Sequence, residues 1–243
     1  MATKSALVFG GSRGIGAAIV RVLARDGFDV AFTYHANAKS AQDIVAGVAK
    51  ATPGTRIACY PADICAPDAV ATAFTLAERE FGQKPQCVIA NAGINVPVAP
   101  VGQFDAANFR ALVETNIVGA FNVLREAANR VDDGGTIIAM TSSLVRHAAP
   151  GMGPYAATKA AVECLVLSMS KELAEREVRV NAVARGPVDH RDGDCAGDVA
   201  SIERLAYGLD VDTSDLVALA CSTRRRDAFG AARDLVARSA RLG

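Results

Sequence analysis

Short apolar runs alternate along the chain with longer segments whose apolar residues recur at helical spacing. Short apolar runs bounded by turn residues are typical of buried strands, and recurrence every three or four positions is typical of amphipathic helices. Strands that alternate with helices indicate right-handed βαβ units and a parallel sheet covered on both faces. The predicted strands are residues 5–9, 29–34, 56–61, 87–90, 136–140 and 178–183, and the predicted helices are the segment from Ile15, 39–50, 67–81, 108–131 and the segment containing Tyr155.

Size and composition favour one folded α/β domain over residues 1–243, because 51% of the residues are hydrophobic and 21% are charged. Lys plus Arg and Asp plus Glu both number 26, so no net charge would attract nucleic acid or an anionic membrane. The six cysteines lack metal-binding spacing, which predicts reduced thiols and no metal site. No apolar run reaches the length of a signal or membrane segment, and we expect a cytoplasmic protein.

A glycine-rich turn, GGSRGIG at residues 10–16, joins the first strand to the first helix. Glycines let a backbone approach a phosphate closely, and a helix N-terminus presents unpaired N–H groups and a positive dipole end. The spacing is GxxxGxG, and tight packing of the helix on the strand is the alternative explanation. The predicted cofactor contacts in this turn are Gly10, Ser12, Arg13, Gly14, Ile15 and Gly16.

The second strand ends in Tyr34 and His35 with no acidic residue beside them. A carboxylate at this position would bind the adenosine ribose of NAD and repel the additional phosphate of NADP. Because the acid is absent and Arg13 stands in the glycine turn, the sequence favours NADP(H) over NAD(H). A solvated loop arginine and a surface histidine are the structural alternatives.

Polar residues also follow the third and fourth strands, at Asp63 and Asn91, where the alternative role is turn formation. Asn116 interrupts the apolar pattern of the long fourth helix, so it is either a satisfied core group or a functional one. Tyr155 and Lys159 are four positions apart and share one helical face. A fixed cation beside a phenol favours its ionised form, although an isolated YxxxK is most often an ordinary helix start.

Taken in order, these motifs resemble the short-chain dehydrogenase/reductase family, especially its 3-oxoacyl-carrier-protein-reductase-like members. The resemblance extends from residue 5 to about 188 and includes GGSRGIG, NAG at 91–93, the serine pair, YAATK at 155–159 and RVNAVARGPV at 179–188. It implies a Rossmann-type, doubly wound parallel sheet of six or seven strands. It also implies hydride transfer between a nicotinamide cofactor and a ketone or secondary alcohol, with a 3-oxoacyl thioester as one possible substrate.

The resemblance assigns roles to four residues. Tyr155 would be the acid in reduction and the base in oxidation, while Lys159 would support its ionisation and bind the nicotinamide ribose. Ser142 would orient the substrate oxygen, with Ser143 as the alternative, and Asn116 would hold a water that links Lys159 to solvent. Further cofactor contacts implied by the family are Asp63, Ile64, Asn91, Ala92, Gly93, Tyr155 and Val188.

The C-terminal third departs from the family pattern. Arg185 replaces a proline, and His190 stands where a threonine is usual. Residues 192–197 are expected to form a mobile lid segment or a disordered loop, and the end has no closing strand and glycine pair. The arginines at 224–226 are either a phosphate-binding patch or a solvated helix face. A non-catalytic NADP(H)-binding or scaffold protein is therefore the alternative function. A homodimer through the helices of Asn116 and Tyr155, or a homotetramer, is the assembly that the family implies.

Overall fold

Six strands lie where the apolar runs predict them and form one parallel sheet in the order β3-β2-β1-β4-β5-β6. The structure is a computed structural model that describes residues 4–185 of the chain. The strands are β1 Lys4–Phe9, β2 Phe28–Tyr34, β3 Ile57–Pro61, β4 Cys87–Ala90, β5 Thr136–Ser142 and β6 Arg179–Arg185. The helices are α1 Gly14–Arg25, α2 Ala38–Ala51, α3 Pro67–Phe81, α4 Ala106–Val113, α5 Ala120–Arg130 and α6 Gly153–Glu172.

Helices cover both faces of the sheet, as the alternation of strands and helices predicts. On one face, α1 and α2 contribute side chains such as Leu23 and Ile44 to a core with Phe32. On the other face, α3, α5 and α6 contribute Phe74, Leu124 and others to a second core. The strands are consequently buried on both sides, which explains why they are continuous apolar runs rather than alternating ones.

The strand order places a topological switch point between β1 and β4. The chain proceeds outward from β1 to β2 and β3, then returns to the other side of β1 through β4. In doubly wound sheets, ligands bind in the crevice beyond the carboxyl ends of the strands at this point. A site is therefore expected among the residues that follow β1, β2, β3, β4 and β5.

The long helix predicted over residues 108–131 is present but interrupted. A π-helical segment, Glu114–Gly119, lies between α4 and α5 and contains Asn116. The apolar side predicted for this helix is only partly buried: Leu112 and Leu124 lie in the core, whereas Phe109 and Phe121 are 43% and 44% exposed. Helical periodicity identifies the apolar side of a helix but does not distinguish residues that pack on the sheet from residues at the surface.

Two strand boundaries differ from the sequence prediction. β5 continues through Ser142, so Thr141 and Ser142 belong to the strand end rather than to the turn after it. β6 begins at Arg179 and pairs with β5 along its whole length. The predictions for Val188, His190, the segment 192–197, the arginines at 224–226 and a seventh strand lie outside the described residues.

Candidate active site

The glycine turn is held against β2 by Thr33. The Gly10 N–H donates to Thr33 Oγ1 at 3.2 Å, and the Gly11 N–H donates to the Thr33 carbonyl at 2.9 Å. Arg13 precedes α1 in an extended conformation, makes no side-chain cap, and no acidic residue occupies the first turn. The N-terminus of α1 therefore presents N–H groups that no capping side chain occupies and a positive dipole end, which suit an anion.

Gly16 and Asn91 fix the shape of this turn. A Cβ at Gly16 would lie 2.0 Å from the Gly10 carbonyl oxygen and 2.6 Å from Asn91 Nδ2, so only glycine fits. Asn91, directly after β4, donates from Nδ2 to that same Gly10 carbonyl at 2.9 Å. The structure thus brings the predicted residues of the first and fourth strand ends together across the switch point.

The ends of β2 and β3 meet at His35 and Asp63. Tyr34 is half-buried at the end of β2, and the exposed His35 places Nδ1 3.8 Å from Asp63 Oδ1. Arg13 is also exposed. The absence of an acid directly after β2 is a property of the sequence, but the approach of Asp63 from the neighbouring strand is not foreseeable from it. Asp63 also accepts a hydrogen bond from the Cys65 N–H at 2.9 Å, the turn-forming role considered as its alternative.

The segment after β3 rests on the interrupted helix. The buried Asn122 of α5 donates from Nδ2 to the Ile64 carbonyl at 3.0 Å, and Cys65 Sγ lies 3.7 Å from the Glu114 carbonyl. Burial raises the pKa of the Cys65 thiol, the nearby Asp63 raises it further, and a hydrogen bond with Thr115 opposes both. Sequence reasoning missed Asn122, although a polar residue beside Val123 and Leu124 was a signal available in the pattern.

Tyr155 and Lys159 lie on one face of α6, as their spacing predicts. Both are buried, with 9% and 6% of their surface exposed, and Lys159 Nζ lies 5.9 Å from the centre of the Tyr155 ring. Lys159 Nζ donates to the Met140 carbonyl of β5 at 3.1 Å. A buried ammonium needs such partners, so its position beside the phenol is fixed from the sheet side.

Asn116 connects the π-helical segment to this pair. Its Oδ1 accepts from the Ile94 N–H at 2.8 Å, and its Nδ2 donates to the Ile94 carbonyl at 2.9 Å and to Thr158 Oγ1 at 3.2 Å. Gly93 lies close to both Asn116 and Lys159. A Cβ added at Gly93 would be 3.0 Å from Asn116 Oδ1 and 3.4 Å from Lys159 Nζ. Sequence reasoning singled out Asn116 and Gly93 but missed Thr158.

Ser142 is the last residue of β5, and Ser143 begins the short turn after it. Both serines are buried, and Ser142 Oγ accepts from the Leu144 N–H at 3.3 Å. The strand end is tied to α6 by Glu163, whose Oε1 accepts from Thr141 Oγ1 at 3.0 Å. Ser142 is therefore placed at the carboxyl edge beside β4, while the choice between the two serines stays a prediction.

Other kinds of site are not apparent in the described part of the chain. Among residues 4–185, no group of three histidine, cysteine, aspartate or glutamate side chains is arranged to hold a metal ion. None of the helices in the same range has the combination of length and apolar composition needed to cross a membrane. The predicted contact at Val188 lies beyond this range.

Comparison with known proteins assigns the family. The family model described as short chain dehydrogenase matches residues 4–193, which includes every strand and helix of the structure. The chain belongs to the short-chain dehydrogenase family. This membership confirms the resemblance inferred from the motifs and the Rossmann-type fold predicted from them.

Individual relatives extend over most of the chain. An NADPH-dependent aldehyde reductase-like protein of Arabidopsis thaliana is 35% identical over 198 residues, covering 77% of this chain and 73% of that protein. A 3-oxoacyl-acyl-carrier-protein reductase of Staphylococcus aureus is 31% identical over 233 residues, covering 92% and 93%. The crystal structure of a short chain dehydrogenase from Burkholderia cenocepacia in complex with NADP is 35% identical, has a TM-score of 0.76 and covers 89% of each chain.

Proposed function

We propose that this short-chain dehydrogenase transfers a hydride between NADP(H) and a ketone or secondary alcohol, with a 3-oxoacyl thioester as one possible substrate. The observation that carries the proposal is the buried pair of Tyr155 and Lys159, whose ammonium lies 5.9 Å from the phenol ring. This pair lies on the same edge of the sheet as the glycine turn and is joined to it through the strand end that contains Asn91 and Gly93.

The residues of the carboxyl edge fit a dinucleotide. The turn at 10–16 offers a close backbone approach and the N-terminus of α1 for the pyrophosphate, and Asp63 and Ile64 would contact the adenine. When bound, the nicotinamide would supply or accept the hydride. The aldehyde reductase relative is NADPH-dependent by name, and the Burkholderia structure contains NADP, which supports a nicotinamide cofactor for this chain.

NADP(H) is favoured over NAD(H) by the charges around the end of β2. Arg13 is exposed in the glycine turn, residues 34–37 contain no acid, and the carboxylate of Asp63 that approaches from the neighbouring strand end lies 3.8 Å from the exposed His35. Arg13→Ala should therefore raise KM for NADPH more than KM for NADH, because a phosphate contact is charge-assisted. Arg21→Ala is the matched control, since Arg21 is exposed on the same helix. Equal changes in both KM values after Arg13→Ala would contradict the preference.

Each member of the proposed catalytic set has a task that its contacts support. Tyr155 would donate its hydroxyl proton to the carbonyl oxygen in reduction and remove it in oxidation. Lys159 would favour the ionised phenol by its charge, and Ser142 would donate a hydrogen bond to the substrate oxygen. Asn116 would hold the loop at Ile94 and the π-helical segment in place beside Lys159.

Assembly as a homodimer or homotetramer is part of the proposal. Four apolar side chains are exposed on the long helix and on α6: Phe109, Val118, Phe121 and Leu167, with 43%, 37%, 44% and 51% of their surface accessible. Exposed aromatic residues on adjacent helices are typical of an interface between subunits. Light scattering on the purified protein gives its mass, and Phe121→Asp should shift the mass towards the monomer.

Cytoplasmic location stays a prediction.

The decisive experiment pairs an NADPH titration with a screen of carbonyl substrates. We expect NADPH binding and oxidation, and a loss of kcat of about 100- to 10,000-fold in Tyr155→Phe, because general acid catalysis contributes that much. Tyr60→Phe is the control, since the Tyr60 hydroxyl contacts the Leu76 carbonyl at 3.4 Å away from α6. Wild-type turnover in Tyr155→Phe would refute the mechanism, and NADPH binding without any turnover would favour the non-catalytic alternative.

A further inference from the structure

A buried hydroxyl lies between two members of the proposed catalytic set. Thr158, on α6 directly before Lys159, has 1% of its surface exposed. Its Oγ1 donates to the Tyr155 carbonyl at 2.7 Å and accepts from Asn116 Nδ2 at 3.2 Å. One side chain therefore joins the backbone of the helix that contains the tyrosine to the side chain in the π-helical segment.

The direction of these hydrogen bonds is fixed by counting donors. A threonine hydroxyl has one proton, and the Tyr155 carbonyl can only accept, so the proton lies on that side. Towards Asn116 the hydroxyl can then only accept, which requires the NH₂ group of Asn116 to face Thr158. The Asn116 oxygen must face the other way, where it accepts from the Ile94 N–H at 2.8 Å.

The opposite orientation of the Asn116 amide would lose its contacts with Ile94 and with Thr158. Its oxygen would face the Thr158 oxygen without a proton between them, and its NH₂ group would face the Ile94 N–H, donor against donor. Asn116 is 1% exposed, so solvent would not compensate for the lost hydrogen bonds. The Ile94 N–H and carbonyl select this orientation, and Thr158 adds a third contact that ties the Asn116 amide to α6.

We propose that Thr158 is a positioning residue that holds Asn116 and the segment at Ile94 in register with Tyr155 and Lys159. This role rests on the proposed function, because its benefit is the alignment of the reacting groups. The methyl group of Thr158 fills core space and the hydroxyl makes both polar contacts. A variant that loses only the methyl group tests the packing role, and a variant that loses only the hydroxyl tests the positioning role.

Two variants separate these contributions. Thr158→Val keeps the shape and removes the hydroxyl, whereas Thr158→Ser keeps the hydroxyl and removes the methyl group. We expect kcat to fall about tenfold in Thr158→Val, mainly through the lost hydrogen bond from Asn116, with the Kd for NADPH within about twofold of wild type. Thr158→Ser should keep kcat within about twofold of wild type, because its hydroxyl can make the same contacts.

A second measurement does not depend on turnover. Hydrogen exchange of the Ile94 amide, followed by NMR, should accelerate about tenfold in Thr158→Val and stay slow in Thr158→Ser, since Asn116 Oδ1 protects that amide and the Thr158 hydroxyl helps to hold Asn116 in place. If Thr158→Val does not fold, Thr158→Ala against Thr158→Ser provides the same contrast. Equal kcat and equal exchange in the valine and serine variants would overturn the proposal. A wild-type protein without turnover would instead refute the proposed function, and the exchange measurement would still test whether Thr158 holds Asn116 in place.

Discussion

At the amino edge of the sheet, where the strands begin, charged side chains form ion pairs with one another. At the carboxyl edge, where the strands end, polar side chains hold the turns around the proposed site. At the amino edge, Arg56 donates to the buried Asp29 at 2.6 Å and 2.8 Å, and Arg176 donates to Asp133 at 2.7 Å. At the carboxyl edge, Asn91, Asn116 and Lys159 mainly contact backbone groups of neighbouring strands and loops.

This difference indicates which residues contribute mainly to stability and which contribute mainly to turnover. Ion pairs that satisfy each other leave no group available to a ligand, so substitutions at the amino edge should lower the free energy of unfolding and spare turnover. Hydrogen bonds to turns set the position of reacting groups, so substitutions at the carboxyl edge should lower turnover and largely spare stability. Four predictions test this contrast.

The largest effect is expected for Lys159→Met. Loss of the buried ammonium should lower kcat by about 100-fold or more, because charge stabilisation in a buried site is among the strongest catalytic effects. The melting temperature should change by only about 3 °C, since the lost hydrogen bond to the Met140 carbonyl corresponds to about 1 kcal/mol. Lys171→Met is the control, because Lys171 is exposed near the end of the same helix. A large loss of stability without a loss of kcat would contradict the role in turnover that is expected of the carboxyl edge.

Arg56→Met should produce the opposite result. Asp29 has 3% of its side chain exposed, so removal of the guanidinium leaves a buried carboxylate with only the backbone N–H of residue 56 as a donor among the described residues. Breaking such a pair destabilises by about 3 kcal/mol, or about 9 °C in the melting temperature, while kcat should stay within about twofold of wild type. Calorimetry and initial rates measure the two quantities.

The control for this variant is the exposed pair of Arg25 and Asp26. The side chains are 64% and 33% exposed and their closest atoms are 3.6 Å apart, so Arg25→Met should change stability by less than about 0.5 kcal/mol. If Arg56→Met lowered kcat as strongly as it lowered stability, the two edges would not be separable.

Sequence reasoning predicted the parts of this site that depend on local pattern. The glycine turn, the six strands and the spacing of Tyr155 and Lys159 are local signals, and the structure contains each of them. Thr158 and Asn122 were missed because their partners, Asn116 and Ile64, lie 42 and 58 positions away along the chain. Such contacts arise only when the helices pack.

Two further differences have the same origin. The π-helical segment Glu114–Gly119 leaves the apolar periodicity of the predicted helix almost unchanged, so the pattern could not reveal it. The apolar spacing did not identify Phe109 and Phe121 as the exposed residues, because an apolar helix face for a partner subunit has the same spacing as one for the core. The site residues that depend on local pattern were therefore predictable, whereas the residues that hold them through tertiary contacts were not.

Gly93→Ala tests whether a small displacement of a side chain at the carboxyl edge lowers turnover. The new Cβ would lie 3.0 Å from Asn116 Oδ1, which would have to shift slightly, and 3.4 Å from Lys159 Nζ, which is ordinary contact. We expect kcat to fall about tenfold, because small displacements of positioned groups reduce rates strongly. Gly102→Ala, in the same connection between β4 and α4, is the control, since a Cβ added there would meet no atom within 4 Å. Equal rates for the two variants would show that the position of Asn116 has no influence on turnover.

The smallest effect concerns the thiol of Cys65 beside the π-helical segment. Burial and the charge of Asp63 raise the pKa of this thiol, so less thiolate is present at a given pH. At pH 8, iodoacetamide should modify Cys65 about tenfold more slowly than the exposed Cys164, and the gap should narrow as the pH rises towards the elevated pKa. Mass spectrometry of the two peptides from one sample provides the comparison and its internal control. Equal rates at pH 8 would mean that the segment after β3 does not pack on the interrupted helix as closely as the contact of Cys65 with Glu114 and Thr115 requires.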